Sequence, residues 1–259
     1  MRIALGIEYD GSAFHGWQSQ GEERTVQRVI EQAVSRVADH PSLVVCAGRT
    51  DTGVHATAQV VHFDTSSPRT SRSWVFGTNA NLPPDVSVLW AQPMPDEFHA
   101  RFSATGRQYC YVILNRRTRA ALLARRVTWE CRPLEVAWMR EAASYLIGEH
   151  DFSAYRAVTC QARSPIRRLR LLEVARRGEL LTIEAEANGF LHHMVRNIAG
   201  VLMAIGAGKH PPAWAREVLE GRDRTAGGVT APPQGLYLTG VGYASRFHMP
   251  QLSRMPLLC

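Results

Sequence analysis

Lysine is almost missing from this chain of 259 residues: Lys209 stands alone among 30 basic side chains, and the others are arginine. Cysteine is sparse too. The five thiols, Cys46, Cys110, Cys131, Cys160 and Cys259, are odd in number and widely scattered. No pair has metal-ligand spacing, which argues for reduced thiols and against a disulfide framework or a zinc site. No apolar run approaches the length of a membrane span. Met1-Arg2-Ile3-Ala4-Leu5 enters an alternating strand pattern without the apolar core or cleavage site of a signal peptide, so a cytoplasmic protein is expected. The glycines lack Walker or dinucleotide-loop spacing. His192 and His193 are adjacent rather than one helical turn apart, so they read as polar-face residues and not as a metal pair.

What the chain does have is arginine. Basic residues exceed acidic ones by 30 − 23 = 7, and residues 101 to 177 hold 16 arginines against 6 acids. Arginine forks match phosphate geometry, and neutralised phosphates release counterions, so a phosphate-rich partner such as nucleic acid is expected. With 45% apolar residues the chain can also bury a core without disulfides.

One loop concentrates the chemistry. Residues 48 to 53, Gly-Arg-Thr-Asp-Thr-Gly, lie between an apolar run, Leu43 to Ala47, and a period-two run carrying Gln59, Val61 and Phe63. Both flanks read as strands. Gly48 and Gly53 permit turns that other residues resist, and they bracket Arg49 and Asp51. Read locally, the loop is either a reactive site or a turn closed by the Asp51 side chain. His55 and His62 flank it, but no Ser or Cys nucleophile motif accompanies them.

Around the loop the pattern alternates strands with helices. A half-buried strand carries Ile3, Leu5, Ile7 and Tyr9. The aromatic loop 14 to 18 reads as tucked over the core. Thr25 is a suitable N-cap for a helix with Val26, Val29, Ile30, Ala33, Val34 and Val37 on its apolar face. A weaker helix is expected from about Ser71 to Asn81, then a strand over Val86 to Trp90 and a turn at Pro93 to Asp96. The second half opens with a strand over 109 to 114. A helix carrying Met139, Ala142 and Leu146 follows, with Gly148 at its end. Residues 151 to 165 read as irregular, and 166 to 175 pairs with 181 to 187 as a hairpin. The strongest helix runs from about Gly189 to Ile205, with Arg196 off its apolar stripe. A buried guanidinium requires a carboxylate partner, and Asp51 is one of few unassigned candidates. A last strand spans 236 to 243, and residues after about Phe247 read as a loose tail. The order strand, helix, strand, strand recurs in both halves. The expected organisation is α+β: residues 1–105, residues 106–247 and a tail 248–259, with a central mixed but mainly antiparallel sheet. A basic cleft between the halves is the default site.

Several blocks, in order, resemble one family. They are Ala4-Leu5-Gly6-Ile7-Glu8-Tyr9-Asp10-Gly11 with Gly16-Trp17-Gln18, the loop 48 to 56, Phe98 to Ala104, Tyr109-Cys110-Tyr111, His192 to Asn197 and Pro233 to Leu238. Together they resemble the tRNA pseudouridine(38-40) synthases of the TruA type. Thr52 departs from the alanine common in that family, beside the key acid and without replacing it. The resemblance implies the pseudouridine synthase fold and an isomerase that converts uridine to pseudouridine at positions 38, 39 and 40 of the anticodon arm. It implies a homodimer, a tRNA partner, no membrane, and neither metal nor organic cofactor. By position Asp51 would be the nucleophile, Arg196 its partner, and Tyr109 the stacking surface for the target base. Leu236 would pack beneath that base, and Arg49 would hold the flipped nucleotide. Phe98, His99, Ala100, Arg101 and Phe102, with Thr159, Cys160, Gln161, Ala162 and Arg163, would contact tRNA. The alternative is a non-catalytic tRNA-binding or RNA-folding protein, and a hydrolase using His55 and Asp51 ranks last.

Overall fold

A computed structural model describes residues 1–250 and 255–256. The far end of the expected tail, 251–254 and 257–259 with Cys259, lies outside the described residues. The chain forms two compact units. One comprises Met1–Thr105 with Tyr237–Cys259, and the other comprises Gly106–Leu236.

The first unit begins with β1 (Arg2–Tyr9), α1 (Val26–Ala38), β2 (Val45–Cys46), β3 (His55–Asp64), α2 (Ser71–Asn79) and β4 (Val86–Met94). β1 is not half-buried as its alternation suggests. Ile3, Ala4, Leu5 and Ile7 are all at most 1% exposed, because β1 lies between β3 and β4, antiparallel to both. Its second face is small rather than polar. Ala4 joins a cluster with Val60, Phe98 and Phe247, and the Trp90 ring sits where a Cβ on Gly6 would be. Of the predicted stripe, α1 buries Val26, Ile30, Ala33 and Val34 and leaves Val29 and Val37 half-buried. Thr25 occupies the N-cap position, but its hydroxyl makes no capping bond; the cap that does form is on α2, where Thr70 accepts from the Ser73 amide. Trp74 of α2 packs edge-on against Phe63 at 5.1 Å. β4 runs through Pro93 to Met94, where a turn is expected from sequence. It is an edge strand, which tolerates a missing amide.

The second unit holds, from Gly106 onward, β5 (Ala104–Asn115), then β6 (Thr128–Glu130), α3 (Val136–Ser144), β7 (Gly148–Asp151), β8 (Ile166–Arg177), β9 (Leu180–Ala187), α4 (Met194–Gly206) and α5 (Trp214–Gly221). Its strands run β5-β9-β8-β7, with β6 on β5. The β8–β9 hairpin matches expectation. β6 and β7 are short and carry too little pattern to be foreseen; Gly148, at φ +120°, opens β7 instead of capping α3. α4 starts five residues later than its apolar stripe suggests, because His193 adopts a left-handed conformation, φ +62°, that no α-helix accommodates. The last strand, β10 (Leu236–Tyr243), lies parallel to β3, pairing Tyr237 with His55 and Leu238 with Ala56. That pairing puts residues 237 onward with the first unit, whereas the sequence pattern groups them with the second half. The strand order there is β4-β1-β3-β10, with β2 on β3. The architecture is α+β with mainly antiparallel strands.

Candidate active site

The loop between β2 and β3 is held from three directions. At its start, Gln59 on β3 turns its side chain back: Nε2 donates to the Gly48 carbonyl at 2.6 Å, and Oε1 accepts the Gly48 amide at 3.3 Å. At its middle, the Thr50 hydroxyl lies 2.8 Å from the Tyr9 hydroxyl, and the Trp17 amide donates to the Thr50 carbonyl at 2.9 Å. At its end, the Val54 amide donates to the Asp51 carbonyl at 3.1 Å, and the Gly53 amide to the Phe14 carbonyl at 3.4 Å. Gly53 adopts φ +77°, which a side chain would resist. The Thr50 carbonyl and the Gly53 amide are thus committed to a neighbouring segment, while Asp51 stays partly accessible and Arg49 exposed.

That neighbouring segment, 11 to 17, is the aromatic loop, and Phe14 and Trp17 are each 1% exposed, as the tucked reading expects. Two glycines let it touch the Asp51 loop. A Cβ on Gly11 would lie 2.0 Å from the Val54 carbonyl oxygen. One on Gly16, itself at φ +83°, would lie 2.8 Å from the Thr50 oxygen and 3.1 Å from the Asp51 carbonyl carbon. Arg24 fastens the segment from behind. It pairs in bidentate fashion with Asp85 at 2.9 Å, donates to the Ala13 carbonyl, and lies 3.9 Å over the Phe14 ring.

His55 and His62 serve structure. His55 is 2% exposed and stacked on Tyr237 at 4.6 Å. Its Nδ1 accepts the Gly11 amide at 2.9 Å and lies 3.2 Å from Asp10 Oδ1. His62 Nδ1 likewise accepts the Ala100 amide, at 3.1 Å.

That second contact belongs to a tightly built segment, 98 to 103. Arg2 donates to the Phe98 carbonyl at 2.7 Å, and the Tyr243 hydroxyl donates to the Ala100 carbonyl at 2.7 Å. The Arg101 and Phe102 amides both point at His99 Nδ1, at 3.2 Å. Phe98 and Ala100 are wholly buried. Their side chains therefore support the segment, and Arg101 and Phe102 are its exposed residues. Phe102 is 76% exposed, stacked on His99 at 4.4 Å, with the Arg101 guanidinium 5.5 Å from its ring.

Burial, with the charges of His99 and Arg2, lowers the His62 pKa to about 4. The unfolded chain then takes up a proton near pH 6.5 that the folded chain refuses until about pH 4. Stability is full above pH 6.5 and falls through that window, at a slope approaching about 1.4 kcal/mol per pH unit. His62→Gln, which keeps an acceptor for the Ala100 amide, is expected to flatten the slope in denaturant titrations at pH 4.5 to about 7; an unchanged slope would assign it elsewhere.

The second unit carries the remaining candidates. Tyr109 on β5 is 9% exposed and meets Phe190 edge-on at 5.1 Å. Arg196 on α4 is half-buried, and its Nε donates to the Ala231 carbonyl at 2.9 Å, whose amide returns a bond to the Arg196 carbonyl. Leu236 is 6% exposed. It follows Gly235, where a Cβ would lie 2.6 Å from the Thr128 hydroxyl and 2.7 Å from the Val112 carbonyl. Thr159, Gln161 and Arg163 are exposed, Cys160 and Ala162 partly so. Their segment is tied to His192, whose carbonyl accepts the Ala157 amide at 2.9 Å. Part of the arginine excess is internal: Arg116 pairs with Glu179, Arg132 with Glu130 and Arg170 with Glu186.

A family model described as tRNA pseudouridine synthase matches residues 6–103 and 142–244. Curated relatives extend the likeness along the chain. The tRNA pseudouridine synthase A of Nitrosococcus oceani is 62% identical over 254 residues, covering 98% of each chain. That of Alcanivorax borkumensis is 59% identical over 257 residues, 99% of this chain and 96% of its own. That of Pseudomonas aeruginosa is 57% identical over 251 residues, 96% and 88%.

Proposed function

The chain belongs to the tRNA pseudouridine synthase family, and from that premise we propose that it isomerises uridine to pseudouridine at positions 38, 39 and 40 of the tRNA anticodon arm, with Asp51 as the nucleophile. The observation that carries the assignment is the Asp51 loop: a partly accessible acid on a backbone held through the Thr50 and Asp51 carbonyls and the Gly48 and Gly53 amides. Breaking an N-glycosidic bond calls for a carboxylate that attacks, or stabilises, an electron-poor sugar carbon. One acid suffices, because no water is activated and the leaving base returns as the nucleophile through carbon. The chemistry calls for neither metal nor organic cofactor. Tyr109, Arg196, Leu236 and Arg49 take the roles of stacking surface, charge partner, apolar floor and nucleotide clamp. The protein works as a cytoplasmic homodimer. Among the described residues no helix is long and apolar enough to cross a membrane.

The target uridine is stacked in a stem, and extracting it costs a few kcal/mol. Stacking on an aromatic side chain returns roughly 1–3 kcal/mol per base. Phe102, held outward by its segment, is a second such surface beside Tyr109. Phe102→Ala is expected to weaken tRNA binding by about fivefold to 150-fold at constant salt, measured by filter binding; wild-type affinity would relieve Phe102 of any contact.

The deciding experiment incubates the protein with unmodified tRNA transcript and maps pseudouridine by chemical tagging, since the isomerisation leaves mass unchanged. Stops at 38, 39 and 40 are expected. Binding without any stop would instead favour a non-catalytic tRNA-binding or RNA-folding protein.

A further inference from the structure

Next to the segment 159 to 163, the second unit contains a cavity of about 310 Å³ lined by Ser153, Arg156, Ala157, Val158, Arg222 and Arg224. Three of these six residues are arginines. Arg224 is fixed by neutral acceptors alone: the Gly227 and Gly228 carbonyls, at 3.3 and 3.1 Å, Asn197 Oδ1 at 3.1 Å, and the Thr230 hydroxyl at 2.8 Å. Asn197 is in turn anchored to the Tyr155 carbonyl. Among the described residues the Arg156 guanidinium has no hydrogen-bonded acceptor, and neither it nor Arg224 pairs with a carboxylate. The nearby acid is Asp151, 3.6 Å from Arg222 Nε and already accepting the Ser153 amide at 2.9 Å. Burial would raise its pKa, but the Ser153 bonds and the charges of Arg222 and Arg156 hold it below the ordinary carboxylate value.

Three guanidiniums around one hollow repel one another, with Asp151 beside Arg222 and the Asp223 carboxylate turned to the Thr225 amide and hydroxyl. An anion with several oxygens offsets that repulsion and matches the fork geometry of arginine. The cavity also has an address. Arg156 stands three residues before Thr159, at most roughly 10 Å of chain, at the root of the segment expected to touch RNA. Val158 between them is 91% exposed.

Resting on the reading of this protein as a tRNA-modifying enzyme, we propose that the cavity receives a backbone phosphodiester of the bound tRNA, separate from the nucleotide being isomerised. Arg224 forms the rigid wall, and Arg156 and Arg222 close on the phosphate oxygens.

The test measures the dissociation constant of a full-length tRNA transcript for wild type, Arg156→Gln, Arg156→Lys and Arg222→Gln between about 50 and 200 mM salt. Each glutamine variant is expected to bind about tenfold more weakly at the lowest salt, with the log–log salt slope reduced by about one. Arg156→Lys should recover most of the slope. Weaker binding with an unchanged slope marks a merely structural loss and overturns the proposal. If Arg156→Gln does not fold, Arg222→Gln carries the same measurement. A parallel arm adds inorganic phosphate without tRNA. Thermal stabilisation of wild type but not of Arg156→Gln, with tRNA slopes unchanged, would make the cavity a free-anion site and overturn the tRNA assignment. Pseudouridine formed by wild type separates the two readings. If none forms while the slopes shift, the isomerase reading fails and the phosphate site stands; if it forms while the slopes stay fixed, only the phosphate site fails.

Discussion

Asp51→Asn is expected to bind tRNA and form no pseudouridine, a loss of at least about 10⁴-fold in single-turnover rate, the scale seen when a covalent nucleophile is removed. The substitution preserves shape and removes the negative charge, and an amide is too weak a nucleophile to displace a base from a ribose carbon. The contacts that shape the loop use the backbone of this residue and its neighbours: the Asp51 carbonyl takes the Val54 amide, and the Thr50 carbonyl takes the Trp17 amide. Those survive the change, so the loss reports chemistry. A quench series on tRNA transcript, read by chemical tagging, makes the comparison, with a thermal melt to confirm folding. Full activity in the variant would eliminate Asp51 as the nucleophile and shift attention to the second unit.

Gly16→Ala should damage the same reaction from outside the loop. Gly16 sits at φ +83°, where an L side chain costs roughly 1–2 kcal/mol. Its added Cβ would stand 2.8 Å from the Thr50 oxygen and 3.1 Å from the Thr52 nitrogen. These are backbone atoms, so no rotamer change relieves the clash, and overpacking of this kind adds about 1–3 kcal/mol. The loop must retreat, and displacing a reacting group by about 1 Å can cost around 100-fold in rate. We expect a lowered melting temperature together with a kcat reduced about 100-fold. Gly21→Ala is the control, because Gly21 also has positive φ, +46°, but nothing lies within 4 Å of its Cβ. It should lose a little stability and keep its rate. If Gly16→Ala behaves like Gly21→Ala, the contact between segments 11 to 17 and 48 to 53 does not govern the chemistry.

The helices of the first unit were legible because their apolar spacing is local: α1 buries Val26, Ile30, Ala33 and Val34 as its pattern requires. The acid-bearing loop was legible for the same reason, since two glycines and two flanking strands mark it within twenty residues. Histidines were less readable. His55 and His62 lie beside the acid in sequence, as a catalytic base would, and only the folded chain shows their Nδ1 atoms taken by the amides of Gly11 and Ala100. Phe98 and Ala100 fall within a motif that resembles an RNA-binding segment, yet both are core. Burial depends on residues distant in the chain, here β1 and the 241 to 249 stretch, and a local window contains none of them.

By itself the sequence determined the α+β class, the basic character and the loop on which Asp51 stands, because each is written in residue type and short spacing. The tertiary structure alone decided that β10 closes onto β3 in the first unit, that Gly11 and Gly16 let one loop brace another, and that three arginines distant in sequence converge on one cavity. Those outcomes rest on contacts between residues roughly 30 to 180 positions apart, whose favourable terms exist only once the loop-closure entropy has been met.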